Sequence, residues 1–343
     1  MKFTKERSQM IKHYILEKID RNDRSIAAAA AENFGINVST VHSYLNEMIK
    51  DGIISRTGRS NFKLVKKEYH YLLDRNNKNF FDDMFAYKQY LYPCIKDLES
   101  NVANIWGYVM GEMTNNVIDH SQTETVEIHI CQDFLKTRVM LMDHGVGIFK
   151  KIKDYFGFES LQDAICELFK GKLTTDSKNH SGEGIFFSSK LMDEFLVISD
   201  GYIFSCDRYD DSQIADLLDT VVNGTCVLME LSNFSNKQPK DIFELYTDED
   251  FQFSKTMIPV KNIFDNDPVS RSQAKRLCNR LEKFNDVILD FKGVQWIGQG
   301  FAHQVFVVFA GEHKDMRIIA ENMNSDVEKM YKHVINTSLD GNE

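Results

Sequence analysis

The chain has 343 residues, of which 43% are apolar, 12% are aromatic and only four are proline. This composition excludes disordered, collagen-like and low-complexity proteins, and at about 150 residues per domain the length predicts two or three globular domains. The net charge of −10 is uneven, because residues 1–77 hold 14 Lys and Arg against 9 Asp and Glu. A basic end on an acidic chain is typical of a module that binds a polyanion such as nucleic acid, and it also fits a merely solvated surface.

Six cysteines are scattered through the chain, and none forms a C-x-x-C pair. This spacing favours neither a zinc site nor a disulfide framework and fits a reducing compartment. No apolar run approaches the roughly 18 residues needed to span a bilayer, and the charged N-terminus does not resemble a signal peptide. We therefore expect a cytoplasmic protein without a membrane partner or anchor.

The first module, residues 1–75, contains three predicted helices. Apolar residues recur at three- and four-residue spacing over 5–19, which predicts the first helix. The alanine-rich run 25–34 predicts a second helix, which Gly35 ends. Residues 38–48 then predict a third helix that begins with a serine N-cap.

A strand, a glycine turn and a second strand are predicted over 52–66, directly after the third helix. Ala31, Gly35, Val41 and Leu45 lie where a helix-turn-helix requires a close helix crossing, a left-handed residue and core contacts. The first module therefore resembles the winged helix-turn-helix of bacterial transcription regulators.

This resemblance implies a DNA-binding domain over residues 1–75. Short polar side chains of the third helix would face base edges, and arginines of the hairpin would contact phosphates. The residues concerned are Ser39, Thr40, His42, Ser43, Arg56 and Arg59. The alternative is a winged helix used for protein contacts or dimerisation, which needs the same core and differs only in surface charge.

A predicted helix over 95–120 opens the middle of the chain. Glu112 and Asn116, together with Asp119 or His120, share one of its faces at three- and four-residue spacing. Polar side chains on one face of an apolar helix indicate a binding or catalytic site.

Three glycine-containing motifs follow this helix: a hydrophobic strand that ends in D-x-G-x-G, a glycine pair that opens a helix, and a Gly-Thr pair before a strand. Their residues are Asp143, Gly145, Gly147, Gly182, Gly184 and Thr225. In this order, after E-x-x-x-N, the motifs closely resemble the ATP-binding fold shared by gyrase, heat-shock chaperone, mismatch-repair and histidine-kinase ATPases, the GHKL superfamily.

The chemistry of these residues suits Mg-ATP. The Asp143 carboxylate at a strand end can accept a hydrogen bond from the adenine amino group, and glycines let the backbone approach the ring. The resemblance implies that Asn116 binds the Mg²⁺ ion and that Glu112 acts as a base toward an attacking water or hydroxyl. Gly182 and Gly184 would offer backbone N–H groups to the phosphates.

The family pattern places Thr225 near the adenine end and adds Asp119 and Thr175 to the nucleotide-binding residues. It implies an ATP-binding domain over residues 78–250. The alternative is an α/β sandwich of the same fold that has lost the ability to bind ATP.

Because no candidate phosphoacceptor histidine lies on a helix just upstream, the E-x-x-x-N motif resembles the anti-sigma serine-kinase branch rather than the histidine kinases.

The segment 149–180 would form a lid over the nucleotide. Its polar end closes on phosphates in this interpretation, with Lys172 and Lys178 as candidate cations.

The last module, residues 255–335, alternates strands with helices, which predicts a small α/β layer fold. Strands are predicted at 257–260, 286–291 and 316–320, and helices at 270–284, 301–309 and 326–334. Its sequence over 270–277 and 289–302 resembles a STAS-like domain of unknown function found behind such ATPase domains. STAS antagonists carry a phosphorylatable serine in the turn before the second helix, and the turn 298–300 here has no hydroxyl. We therefore expect a domain for protein contacts or dimerisation.

Together these patterns predict a multidomain α+β protein: a winged helix, a GHKL α/β sandwich (Bergerat fold) and a STAS-like domain. The leading functional hypothesis is a regulator that couples Mg-ATP binding or hydrolysis to DNA binding and transcription control. The alternatives are a serine/threonine kinase of the anti-sigma type that acts on a partner protein, and a nucleotide-gated assembly protein.

Overall fold

A computed structural model describes residues 4–58, 60–173, 182–206, 223–264 and 266–340. The chain has a mixed α/β architecture with a two-stranded, a six-stranded and a three-stranded sheet. This is consistent with the multidomain α+β class expected from the sequence. Within the described ranges, no helix is long and apolar enough to cross a membrane.

The N-terminal unit consists of three helices and an antiparallel hairpin. They are α1 (Lys5–Asp20), α2 (Ile26–Phe34), α3 (Val38–Lys50), β1 (Ile54–Arg56) and β2 (Phe62–Leu64). Ile11 and Ile15 of α1 and Val41 and Leu45 of α3 are buried in one core with Ile54 of β1. The apolar three-and-four spacing of the sequence therefore marks the inward faces of both helices, as expected.

The turn between α2 and α3 differs from expectation at one point. Gly35 ends α2 in the left-handed conformation, with φ of 60°. However, α3 is preceded by Asn37, whose side chain makes no capping hydrogen bond. The expected serine N-cap is wrong, because the helix begins at Val38 and Ser39 already lies in its first turn.

The central unit is built on the six-stranded antiparallel sheet, ordered β3-β4-β5-β8-β6-β7. Its strands are β3 (Lys67–Asp74), β4 (Thr125–Gln132), β5 (Lys136–Asp143), β6 (Glu194–Ser199), β7 (Tyr202–Ser205) and β8 (Thr225–Ser232). The edge strand β3 lies within residues 1–75, so part of the first predicted module contributes to the central sheet.

Helices pack on one face of this sheet. They are α4 (Tyr92–Ile95), α5 (Ser100–Asn116), α6 (Ile148–Phe156), α7 (Leu161–Lys170), α8 (Gly184–Leu191) and α9 (Pro239–Tyr246), with a 3-10 turn at Lys78–Phe81 and π-helical turns at Tyr87–Leu91 and Val117–Ser121. The helix expected over 95–120 starts only at Ser100, because Glu99 has an extended backbone.

The C-terminal unit surrounds the three-stranded parallel sheet, ordered β11-β10-β9. Its elements are β9 (Lys255–Pro259), α10 (Val260–Ile263), α11 (Arg271–Cys278), a 3-10 turn (Leu281–Lys283), β10 (Asp286–Asp290), α12 (Gln299–His303), a π-helical stretch (Gln304–Phe309), α13 (Ala310–Glu312), β11 (Arg317–Glu321) and α14 (Ser325–Asp340). The single helix expected over 270–284 is wrong, because Arg280 adopts a left-handed conformation with φ of 61° and separates α11 from the 3-10 turn.

One hydrophobic core runs through the central and C-terminal units. It includes Ile128 and Leu141 of the central sheet, Trp106 of α5 and Leu289 of the parallel sheet. Helix α7 contacts β9, α10 and α11, so it joins the two units. The N-terminal unit has its own core, to which the central unit adds Leu135 from the turn before β5.

Candidate functional site

A cavity of about 320 Å³ opens between the sheet and its helices in the central unit. Seven of the residues singled out from the sequence line it: Glu112, Asn116, His120, Asp143, Gly182, Gly184 and Thr225. They come from α5 and the turn after it, β5, the start of α8 and β8, which together span more than a hundred residues of chain. The fold therefore brings together motifs that the sequence shows only as isolated fragments.

Asp143 forms the buried polar end of this cavity. It is the last residue of β5, pairs with Thr225 of β8, and is only 3% exposed. The Gly145 N–H donates to Asp143 Oδ1 at 2.9 Å. Burial raises the pKa of Asp143 to about 6, although backbone hydrogen bonds from Gly145 and Thr225 oppose the rise. Above that pH the carboxylate is ionised and acts only as an acceptor.

Glycine is required at two places around Asp143. A Cβ on Gly145 would lie 1.9 Å from the Ser121 carbonyl oxygen. A Cβ on Gly224 would lie 2.1 Å from the Asp143 carbonyl oxygen, and Gly224 also has a φ of +95°. Both contacts are with backbone atoms, which cannot rotate away as a side chain can. These glycines thus allow the chain to approach closely at the base of the cavity.

Glu112 and Asn116 lie one helical turn apart near the end of α5, and both face the cavity. Helix α8 begins directly against them: a Cβ on Gly184 would lie 2.0 Å from Glu112 Oε2. The N-terminus of α8 is therefore next to the Glu112 carboxylate.

Several expected site residues lie elsewhere. Asp119, Gly145 and Gly147 are not among the cavity-lining residues. Gly147 instead precedes α6, and its Cα lies so close to Asp200 that an added Cβ would be 2.4 Å from the carboxylate. Thr175, which the resemblance adds to the site, lies outside the described residues, as does Lys178.

The segment expected to be a lid has two different parts. Helix α7 is buried along most of its length, and its Leu168 lines the cavity together with Gly171 and Leu173. The ammonium of Lys172 donates to the Lys283 carbonyl oxygen at 2.8 Å, so it is held by the C-terminal unit. The described part of the segment is therefore a packed wall, and Lys172 is not among the residues that line the cavity.

Sequence reasoning missed Lys151 and the apolar walls of the cavity. Lys151 and Ile152 of α6 line it, as do Val197 of β6 and Val227 of β8. The signal for α6 was available, because Ile148, Lys151 and Ile152 recur at the three- and four-residue spacing of one helix face. Val197 and Val227 lie on strands that are buried almost throughout, so alternation could not identify them.

Of the residues expected to contact DNA, those that the structure describes are exposed or half-buried on the N-terminal unit. Ser39, His42 and Ser43 of α3 are exposed and Thr40 is half-buried. The Arg56 guanidinium is exposed and lies over the Phe62 ring, 5.4 Å from its centroid. Arg59 lies outside the described residues.

Fold and cavity define a mixed α/β protein with a partly open cavity in its central unit, lined by both polar and apolar residues. Residues 273–328 of the C-terminal unit match a family described as a STAS-like domain of unknown function (DUF4325). This match confirms the resemblance expected for the last module. No curated protein matches the chain.

Proposed function

We propose that the protein is an ATP-responsive regulator whose central unit is a GHKL-type domain and binds Mg-ATP. The observation that carries this proposal is the cavity in which Asp143, Asn116 and Glu112 meet. A buried carboxylate that accepts hydrogen bonds suits the adenine amino group. The glycines at positions 145 and 224 let the backbone segments around Asp143 pack closely, where a Cβ would meet the carbonyl oxygens of Ser121 and Asp143.

The donor set also fits a nucleotide-bound magnesium ion. Mg²⁺ takes few protein ligands and keeps phosphate oxygens and waters, so the Asn116 amide oxygen is a sufficient protein ligand. The N–H groups of α8 would face the phosphates, since Gly184 lies beside Glu112 and lines the same cavity as Asn116.

Two contacts connect this cavity to the other units. Strand β5 ends at Asp143 in the cavity and begins at Lys136, whose ammonium donates to Asp20 of α1 at 3.1 Å. On the other side, α7 places Leu168 in the cavity and Cys166 against the Arg276 carbonyl oxygen of the C-terminal unit. If the nucleotide binds one of two arrangements of these contacts more tightly, it would shift the N-terminal unit toward that arrangement. We propose that this unit binds DNA as a winged helix.

Saturating Mg-ATP is expected to change the affinity for DNA by about fivefold or more, the lower range of allosteric coupling. Duplexes enriched by the purified full chain from a random library would serve as probes, with and without nucleotide. Asn116→Ala is expected to abolish the ATP effect while retaining the affinity measured without nucleotide. Equal affinities at zero and saturating Mg-ATP would contradict the coupling.

The position of Glu112 favours a second function, a serine/threonine kinase of the anti-sigma type. Its side chain faces the cavity one turn before Asn116, where a carboxylate could take a proton from water or from a partner's hydroxyl. Transfer to a hydroxyl would form a bond between the hydroxyl oxygen and the γ-phosphorus. It would break the bond between the γ-phosphorus and the β–γ bridging oxygen, and ADP would leave.

Glu112→Gln is expected to lower phosphoryl release or transfer about 100-fold or more, because the base is lost while the shape is kept. The assay incubates the protein with γ-labelled Mg-ATP and cell extract and follows free phosphate and labelled protein together. Glu159→Gln, a change of an exposed carboxylate outside the cavity, is the matched control. Label on a partner supports the kinase, free phosphate supports an ATPase switch, and unchanged rates in Glu112→Gln contradict both roles for Glu112.

A further inference from the structure

The cavity contains two carboxylates, Glu112 and Asp143, and a single basic side chain of the lysine or arginine type among the described residues that line it. That side chain is Lys151. Two negative charges in a partly enclosed site oppose the binding of an anionic ligand unless a cation offsets them. The charge balance of the cavity therefore depends on Lys151.

Lys151 lies on the cavity face of α6, next to Ile152, which is buried, and one turn after Ile148. Its ammonium donates a hydrogen bond to the His120 carbonyl oxygen at 2.9 Å. The neighbouring Lys150 is exposed to solvent. The two lysines are adjacent in sequence but differ in surroundings, so they form a natural pair for comparison.

The bond to His120 fixes where the charge lies. His120 follows Asn116 by four residues in the π-helical turn that continues α5. The lysine ammonium is thus held about one turn beyond Asn116, at the C-terminal end of this helix and in the same cavity, and a helix C-terminus is a favourable place for a cation. An ammonium has three N–H donors, so a lysine can donate to a carbonyl oxygen and to an anion at the same time.

We infer that Lys151 binds the polyphosphate of the nucleotide beside the Asn116 metal position, and thereby sets the preference for ATP over adenosine. This inference rests on the proposed function, since it names the phosphate-binding cation of the same site. It replaces Lys172, whose ammonium is bound to the Lys283 carbonyl oxygen and lies 4.9 Å from the centre of the Phe284 ring.

The test measures the dissociation constants of adenosine, ADP and ATP by calorimetry in the presence of Mg²⁺. The full chain is compared as wild type, Lys151→Gln, Lys151→Arg and Lys150→Gln. We expect Lys151→Gln to weaken ATP about 10- to 100-fold, as for a lost charge-assisted hydrogen bond, and adenosine by less than about twofold. Lys150→Gln should leave all three constants unchanged, and Lys151→Arg should restore part of the ATP affinity.

If Lys151 only holds the His120 turn in place, Lys151→Gln should weaken the binding of adenosine and of ATP by the same factor. That result would overturn the inference. An ATP constant unchanged in Lys151→Gln would overturn it as well. If the wild type binds adenosine and ATP equally, the phosphate contact is wrong while a nucleoside site remains. If it binds none of the three ligands, the proposed function itself fails.

Discussion

Replacing Lys170 with methionine is expected to lower the free energy of unfolding by about 3 kcal/mol, the cost of removing one partner from a buried ion pair. Lys170 is 1% exposed, at the end of α7. Its ammonium donates to Glu167 and to the carbonyl oxygens of Arg276 and Asn279, the latter two at 3.1 and 2.6 Å. Methionine fills a similar volume but donates no hydrogen bond.

The loss would leave Glu167 with one cationic partner. Glu167 is 4% exposed, and Arg280 remains 3.2 Å from its second carboxylate oxygen. Two backbone carbonyls of the C-terminal unit would lose their donor in the same change, and each unsatisfied buried acceptor is costly. These losses fall at the contact between α7 and the C-terminal unit, so we expect that contact to weaken most.

Urea unfolding of the full chain measures this effect. Because the central and C-terminal units share one hydrophobic core, we expect them to unfold in a common transition. Lys329→Met is the matched control, since Lys329 pairs with Asp326 at 3.2 Å where both side chains are largely exposed. It should cost about 0.5 kcal/mol or less. Equal effects of the two changes would show that burial does not govern the Lys170 pair.

Helix α7 also shows where sequence reasoning fails. Glu167 and Lys170, at three-residue spacing, have the pattern of a solvated helix face, and the segment was expected to be a lid. The structure buries this face because residues about a hundred positions later, in α11 and the following turn, supply its partners. A long-range contact of this kind leaves no local pattern in a single sequence.

The strand and turn motifs were predicted much better. The hydrophobic run that ends at Asp143 forms β5, and the glycine pair opens α8 as expected, with Gly182 before the helix and Gly184 as its first residue. Glycine turns, apolar alternation and helix faces are determined by local backbone and side-chain geometry, so they can be read without knowing the partners. The spacing of Glu112 and Asn116 also predicts that they share one helix face. It does not predict that Lys151 lines the same cavity.

Gly224→Ala is expected to cost about 3 kcal/mol, close to the effect of Lys170→Met. The alanine Cβ would lie 2.1 Å from the Asp143 carbonyl oxygen and 2.8 Å from the His144 Cα, and the φ of +95° disfavours any side chain. The clash with backbone and the unfavourable conformation each contribute about 1–3 kcal/mol. Relief requires the end of β5 to move away from β8, which displaces Asp143 from the cavity.

The same variant should therefore lose nucleotide binding as well as stability, and calorimetry with ATP together with thermal unfolding measures both. Gly311→Ala is the control, because nothing lies within 4 Å of the added Cβ in α13 and the φ is not positive. Alanine there should stabilise the chain by about 0.5–1 kcal/mol through helix propensity and leave ATP binding unchanged. If Gly224→Ala kept the wild-type stability and affinity, the close approach of β8 to Asp143 would not be needed for the site.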